Sequence, residues 1–510
     1  MRQGSKYRLF ASACVAAALL GGAARAATLA DAIAYAYQNN PGLRSQRAAL
    51  KGVDENYVQA RGAFGPAVSV NASNTGYQEV LTGPQGGKAY AQTQSESLQI
   101  SQPLYAGGKL NSQLSQAEAQ ILSARETLRR LEMDLLTQVV DAYTSVRRDE
   151  ALLRVNQDTV TVLERQESDT ESRFKVRTVT MTDVAEAKSR LASARAGLAN
   201  AQAALGQSRA QYIAVVGQTP ATLEPPPPLT GVPKDISQAF DSAERNSPLL
   251  LGAQYSEQRS RARVAEAKAA RLPTVSAQLA WTHTPYLPYG SNPYQSATSA
   301  TVSVSQPLFT SGQLSSQIRA AQDQNNSDRL QIDETRNQVI LGVTTAWEQL
   351  SALRNQLKTL EDAVAASSFA FYGNREEEKL DLRSTIDVLN AQLELTGAQQ
   401  NVIRARAQEY LGQARILAAM GVLNVAQLSP GVTTYDAAAN FREVQHKGET
   451  PLEWPARTLD AIGGMRVGAP PPASVAEVRP NASAMPAAPG PEKPIPSILN
   501  AIDTPPPEPR

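Results

Sequence analysis

Two stretches decide the architecture: Gln102-Pro103-Leu104-Tyr105-Ala106-Gly107-Gly108-Lys109-Leu110-Asn111-Ser112-Gln113 and Gln306-Pro307-Leu308-Phe309-Thr310-Ser311-Gly312-Gln313-Leu314-Ser315-Ser316-Gln317. They are two copies of one pattern, 204 residues apart. The same offset relates Asp183-Val184 to Asp387-Val388 and Gly217 to Gly421. Upstream the offset is 207: Asn39-x-Pro41 matches Asn246-x-Pro248, and Pro66, Val68 and Ser69 match Pro273, Val275 and Ser276. A chain that repeats itself at this length is built from two like structural units. Their divisions read as 27–219 and 236–427, joined by a proline-rich linker over 220–235 that holds Pro225 to Pro228 in a row.

Each copy changes character at this Gln-Pro-Leu junction. Residues 274–309 contain no Asp, Glu, Lys or Arg, and 66–104 contain only Glu79, Lys88 and Glu96, against 19% charged residues overall. Within them Val275, Ala277, Leu279 and Trp281 alternate with Ser276, Gln278, Ala280 and Thr282, a period of two that predicts strands. Strands are expected at about 66–104 and 274–309, two per copy. One face is apolar and the other small and polar. Tyr77, Tyr90, Tyr105, Trp281, Tyr286, Tyr289, Tyr294 and Phe309 gather near their ends, where membrane barrels carry aromatic girdles. Beyond the junction, Leu114, Ala117, Ile121, Ala124, Leu128, Leu131, Leu135, Val139, Ala142 and Val146 fall at spacings of three and four, a coiled-coil seam. No Pro or Gly interrupts 109–175, so a helix ~100 Å long is predicted there, with a return helix over 181–216. The second copy predicts helices over 313–379 and 385–420. A further helix is expected from Leu29 to about Arg61, ~50 Å, stacked end to end with the return helix beside the long one.

Composition removes several functions. With 49 Lys and Arg against 48 Asp and Glu, no field attracts nucleic acid. The single cysteine, Cys14, lies in residues 1–26, which read as a cleaved secretory signal: Arg2, Lys6 and Arg8, an apolar run from Leu9 to Leu20, then Ala24-Arg25-Ala26. Ala11 stands where a lipoprotein signal needs a Leu-like residue, and the run is too short to span ~30 Å of hydrocarbon as an anchor. No later segment is apolar enough for a membrane helix, so entry into a membrane requires a barrel. His283 and His446 lack neighbouring ligands in the sequence, so no metal, cofactor or catalytic constellation is expected and the chain does not read as an enzyme. Gly107-Gly108-Lys109 lacks the earlier glycine of a phosphate loop. Residues 428–510, with 15 of the 32 prolines after position 450, read as a disordered tail.

Four strands cannot close in lipid, so subunits must share a barrel: eight strands in a dimer, twelve in a trimer. The duplicated Asn-x-Pro, the paired Gln-Pro-Leu-(Tyr/Phe)-x-x-Gly junctions and the helix restarts Met181-Thr182-Asp183-Val184 and Thr385-Ile386-Asp387-Val388 together resemble the TolC family of outer-membrane efflux and secretion channels, over residues 28 to about 424. The fold implied is mainly α with a membrane β portion: duplicated long coiled-coil helices, four strands per subunit, a trimeric twelve-stranded barrel and an α-helical barrel in the periplasm. The function implied is that of an exit duct in the outer membrane of a Gram-negative cell, for type I protein secretion or drug efflux. The partners implied are two further copies, a periplasmic adaptor, an inner-membrane ABC or proton-driven transporter, and outer-membrane lipid.

Carried over by motif, Thr182, Asp183, Arg383 and Asp387 fall at the periplasmic aperture, with Asn390 where some relatives hold a second acid. Arg177 and Asp381 stand where the family often has glycine. Independently of the resemblance, Thr180-x-x-Asp183 and Ser384-x-x-Asp387 read as capping boxes, which leaves open whether the acids also gate. Gln102, Pro103 and Gly108, with Gln306, Pro307 and Gly312, read as junction devices in which proline ends strand pairing and glycine turns the chain into the helix. A soluble periplasmic coiled-coil adaptor is the competing reading; it explains the heptads but not the uncharged hairpins.

Overall fold

The computed structural model describes residues 28–81, 87–285, 294–380 and 382–463. The signal segment with Cys14, the chain beyond 463, Asp381, Tyr286 and Tyr289 lie outside them. The first copy runs α1 (Leu29–Asn39), α2 (Pro41–Gly62), β1 (Ala67–Leu81), β2 (Gly87–Tyr105), α3 (Lys109–Lys175) and α4 (Met181–Val216). The second runs α5 (Ile236–Asn246), α6 (Pro248–Ala269), β3 (Thr274–Pro285), β4 (Tyr294–Ser305), α7 (Gln313–Lys379) and α8 (Thr385–Ala419). Three short helices follow: α9 (Val425–Leu428), α10 (Ala439–Val444) and α11 (Glu453–Gly463). The protein is thus mostly helical, with few strands.

The expectation of one helix from Leu29 to Arg61 is corrected. Pro41 disfavours helical backbone at Asn40, whose ψ is 122°, and starts α2 at its first position. The Asn40 side chain then accepts from the Leu43 N–H at 3.1 Å. Ser247 before Pro248 bends the second copy the same way, with ψ 118°.

The strands form one antiparallel sheet in the order β1-β2-β3-β4. Its register lines Val68, Ile100, Leu279 and Ala300 in one row and Val70, Leu98 and Trp281 in the next. On the opposite face lie Ser69, Gln99 and Ser299, then Asn71, Ser97 and Thr282. One face is therefore apolar and the other polar, and within the chain β1 and β4 are open edges. His283 is absorbed structurally: its ring stacks on Trp281 and Tyr294 at centroid distances of 5.9 and 4.9 Å.

Below the sheet, α3 packs against α2, α4, α6 and α8, and α7 against α6 and α8. The largest core joins Leu29, Ile33 and Tyr37 of α1 to Leu128, Leu136, Val139 and Tyr143 of α3, Tyr212 and Val216 of α4, and Leu417 of α8. Trp347 centres a second core with Ile236, Phe240 and Ile416. No helix among the described residues is long and apolar enough to cross a membrane.

The expected disorder of 428–510 is also corrected, for residues 428–463. This segment is a strap that runs from the core around α1 to the base of β2. The Tyr435 N–H donates to Tyr37 Oη at 3.0 Å, Asn440 Nδ2 donates to the buried Asp54 at 2.8 Å, and Phe441 meets the Tyr57 ring edge-on at 5.1 Å. These polar and aromatic anchors, with single buried residues such as Leu428, Val444 and Ala456 between them, are too widely spaced for a hydrophobic period to announce them.

Candidate functional site

Two groups of residues stand at opposite ends of the long helices. At the far tip, α3 ends in a turn where Arg177 takes a left-handed φ of 65° and the Thr178 N–H closes onto the Arg173 carbonyl at 3.0 Å. Thr180 then caps α4. Its N–H and Oγ1 both donate to Asp183 Oδ2 at 2.8 Å, and the Asp183 N–H returns to Thr180 Oγ1 at 3.3 Å. Ser384 and Asp387 repeat the box on α8, with Oγ to Oδ2 at 2.6 Å and N–H to Oδ2 at 3.2 Å. Each reciprocal box satisfies free N–H groups at a helix start and places a negative charge at the positive end of the dipole.

The Ser384 hydroxyl, helped by the Ser384 N–H and by Arg383, holds the Asp387 carboxyl below the ordinary carboxylate range. A carboxyl lowered in the folded state adds stability above its unfolded value and loses that contribution as pH falls through the folded value. Lowering the pH from 5 towards 2 should therefore reduce the amide protection factors, taken against the intrinsic exchange rate at each pH, in the first turn of α8. In Asp387→Asn the protection factors should already be low at pH 5 and change little; an unaltered wild-type pH response in that variant would exclude the box as the cause.

Thr182 is exposed in the first turn of α4, beside the Thr180–Asp183 cap. Arg383 lies in the turn, and its Nε donates to Glu377 Oε2 of the same hairpin at 2.8 Å. Asn390 accepts from Arg190 Nη2 of α4 at 3.1 Å, so it bridges the two copies. A residue outside the motifs joins them as well. Buried Glu378 accepts from Thr385 Oγ1 at 3.0 Å and from Arg173 Nη1 of α3 at 3.3 Å, tying α7, α8 and α3 together. Its signal was only a Glu376-Glu377-Glu378 run, which reads as a solvated face.

At the other end the two junctions, alike in sequence, differ in surroundings. Gly108 and Gly312 both take left-handed backbone, φ 84° and 83°, to start α3 and α7. Proline does not end pairing in the first copy: Pro103 still opposes Ser276, and the ladder slips and continues to Tyr105 opposite Val275. In the second, β4 stops at Ser305, before Gln306 and Pro307. Gln102 is buried, with Nε2 donating to the Phe64 carbonyl at 2.8 Å. Asp460 of the strap accepts from the Ala106 and Gly108 N–H groups at 2.8 Å and from the Asn111 N–H at 3.1 Å. Gln306 and Pro307 are exposed, and Leu308 and Phe309 beside them are 90% and 86% exposed. Among the described residues no group of His, Cys, Asp and Glu is placed to hold a metal ion.

A sheet with one apolar and one polar face is thus continued by paired helical hairpins whose tips are capped by acids. The chain belongs to the outer membrane efflux protein family, which it matches over residues 32–218 and 239–422, one segment per copy. It is similar to the outer membrane efflux protein BepC of Brucella suis biovar 1, at 30% identity over 84% of this chain and 93% of that one. It is also similar to the outer membrane protein TolC of Escherichia coli, at 24% identity over 76% and 81% of the two chains. Among solved structures, CusC superposes with a TM-score of 0.67 at 16% identity, covering 77% of this chain and 92% of its own. VceC of Vibrio cholerae gives 0.65 at 20%, covering 77% and 96%. The protein is accordingly an outer-membrane protein of a Gram-negative bacterium.

Proposed function

We propose that the protein is the exit duct of a tripartite export system, passing substrates from an inner-membrane ABC or proton-driven transporter and a periplasmic adaptor to the outside. The observation that carries this reading is the two-faced sheet with both edges open. Unpaired edges in lipid leave backbone groups unsatisfied, and three copies pairing β4 to β1 give twelve strands with the Ser, Thr and Gln face around a lumen. The reading assigns no catalytic role and no cofactor. Native mass measurement of the detergent-solubilised protein should give a homotrimer; a monomer or dimer would overturn it.

Cargo follows from the transporter rather than from the duct. The related chains named as a toluene efflux pump component and an antibiotic efflux pump component of Pseudomonas putida favour small-molecule efflux over protein secretion. Deletion should then sensitise cells to toxic compounds and leave the secreted proteins unchanged.

The tips are read as the aperture. Three subunits place six carboxylates, Asp183 and Asp387 of each, around a narrow water-filled neck and so favour cations. Arg383 on Glu377 braces the turn of its own hairpin, while Asn390 on Arg190 and Glu378 on Arg173 hold neighbouring hairpins together there, with Thr182 at the rim. In planar bilayers the wild-type channel should prefer cations, and Asp183→Ala with Asp387→Ala should remove most of that preference. Unchanged ion selectivity would confine both acids to capping.

A further inference from the structure

The strap ends in α11, and its outward face has no partner among the described residues. Glu453, Ala456 and Asp460 form the buried face, spaced by three and four. Opposite them Trp454, Thr458 and Ile462 form a second stripe, flanked by Pro455, Leu459 and Ala461; Trp454 is 71% and Ile462 83% exposed. Leu452 is exposed just before the helix, and Arg457 is the one charged side chain on the exposed part of α11. A helix with an uncharged, Trp-bearing outer face fits an interface between water and lipid.

Its position points to the same surface. Asp460 grips the first turn of α3 directly below Tyr105, the last residue of β2. Ala456 shares a core with Phe64, and the Phe64 carbonyl takes the Gln102 side chain. Gln102 alternates onto the sheet face of Leu98 and Ile100, the apolar face. Helix α11 therefore stands on the apolar side of the sheet, at its base. We propose that α11 is an interfacial helix, seating Trp454, Leu459 and Ile462 in the headgroup region of the periplasmic leaflet of the outer membrane and collaring the foot of β2. This rests on the reading of the sheet as part of a barrel whose apolar face meets lipid.

The test uses the full chain with Cys14→Ala, since Cys14 is the only cysteine, and single variants Trp454→Cys, Ile462→Cys, Val302→Cys and Ser193→Cys. Each carries an environment-sensitive fluorophore in phosphatidylethanolamine–phosphatidylglycerol vesicles. Headgroup-attached nitroxide lipid should quench labels at 454 and 462 by about twofold or more and leave 193 on α4 unchanged. Labels at 454 and 462 quenched by aqueous iodide instead would overturn the proposal. So would protection from both quenchers together with disulfide formation between subunits in the unlabelled variants, which would make a second copy the occupant. Val302, on the apolar face of β4, separates the two readings: loss of lipid quenching at 302 as well sinks the barrel reading, whereas loss at 454 and 462 alone sinks only the helix proposal.

Discussion

Gly421→Ala should destabilise the protein by about 2–5 kcal/mol, summing left-handed strain and overpacking against rigid backbone. Gly421 ends the last turn after α8 at φ 73° and is buried where the chain passes the bend between α5 and α6. A Cβ there would stand 2.4 Å from the Asn246 carbonyl oxygen, 2.6 Å from its carbon and 2.9 Å from Ser247 Cα. None of these atoms is a flexible side-chain end, and the Gly421 carbonyl is itself held by Arg129 Nη2 at 2.7 Å. The matching Gly217 also has a left-handed φ, 93°, but is exposed, and a Cβ there meets only the Tyr35 ring, at 3.3 Å. Gly217→Ala should therefore cost about 1–2 kcal/mol, the strain alone. Thermal melting of the helical circular dichroism signal in detergent compares the two; equal losses would remove the close approach as the cause.

That pair of glycines shows what the sequence reveals and what it hides. The duplication, the strand alternation around Val275 to Thr282 and the uninterrupted run from Lys109 are local patterns, and each comes from one element meeting one environment. The surroundings of matched positions are not local. Gln102 and Gln306 occupy the same motif, yet only Gln102 has the Phe64 carbonyl and the strap beside it, because the strap runs along α2 to β2 of the first copy. The tip shows the same limit. Asp183 and Asp387 were readable as caps from residues three apart, whereas Arg190 to Asn390 and Arg173 to Glu378 join residues some two hundred positions apart. Side-chain pairing at that distance depends on helix packing, which no short window contains. The strap was hidden for a further reason: it runs without a break in sequence into a proline-rich stretch, with 13 of the 15 prolines after position 450 lying beyond residue 463, and its own fixings are single, widely spaced side chains.

Arg61→Ala should release that strap. Arg61 ends α2 in a buried position, where Nη1 donates to the Gln445 carbonyl and Nη2 to the Lys447 carbonyl. Its Nε lies 3.2 Å from Glu453 Oε2, an ion pair by distance without hydrogen-bond alignment, and Glu453 is 5% exposed. Removing one partner of a buried pair leaves the other charge uncompensated and costs about 3–5 kcal/mol. The effect should travel along the chain. Glu453 Oε1 accepts from the Thr450 N–H at 3.0 Å to cap α11, and α11 carries the Asp460 that grips Gly108. Arg61→Lys should restore little, since one ammonium cannot serve two carbonyls and a carboxylate from the plane of a guanidinium. Arg61→Ala with Glu453→Gln should recover part of the loss, because the stranded charge is gone. Limited proteolysis reads the outcome: cleavage between Asp436 and Leu452 should rise sharply in Arg61→Ala and fall again in the double variant. Equal cleavage in all three proteins would show that the strap is held by its aromatic contacts at Tyr435 and Phe441, with the buried guanidinium contributing little.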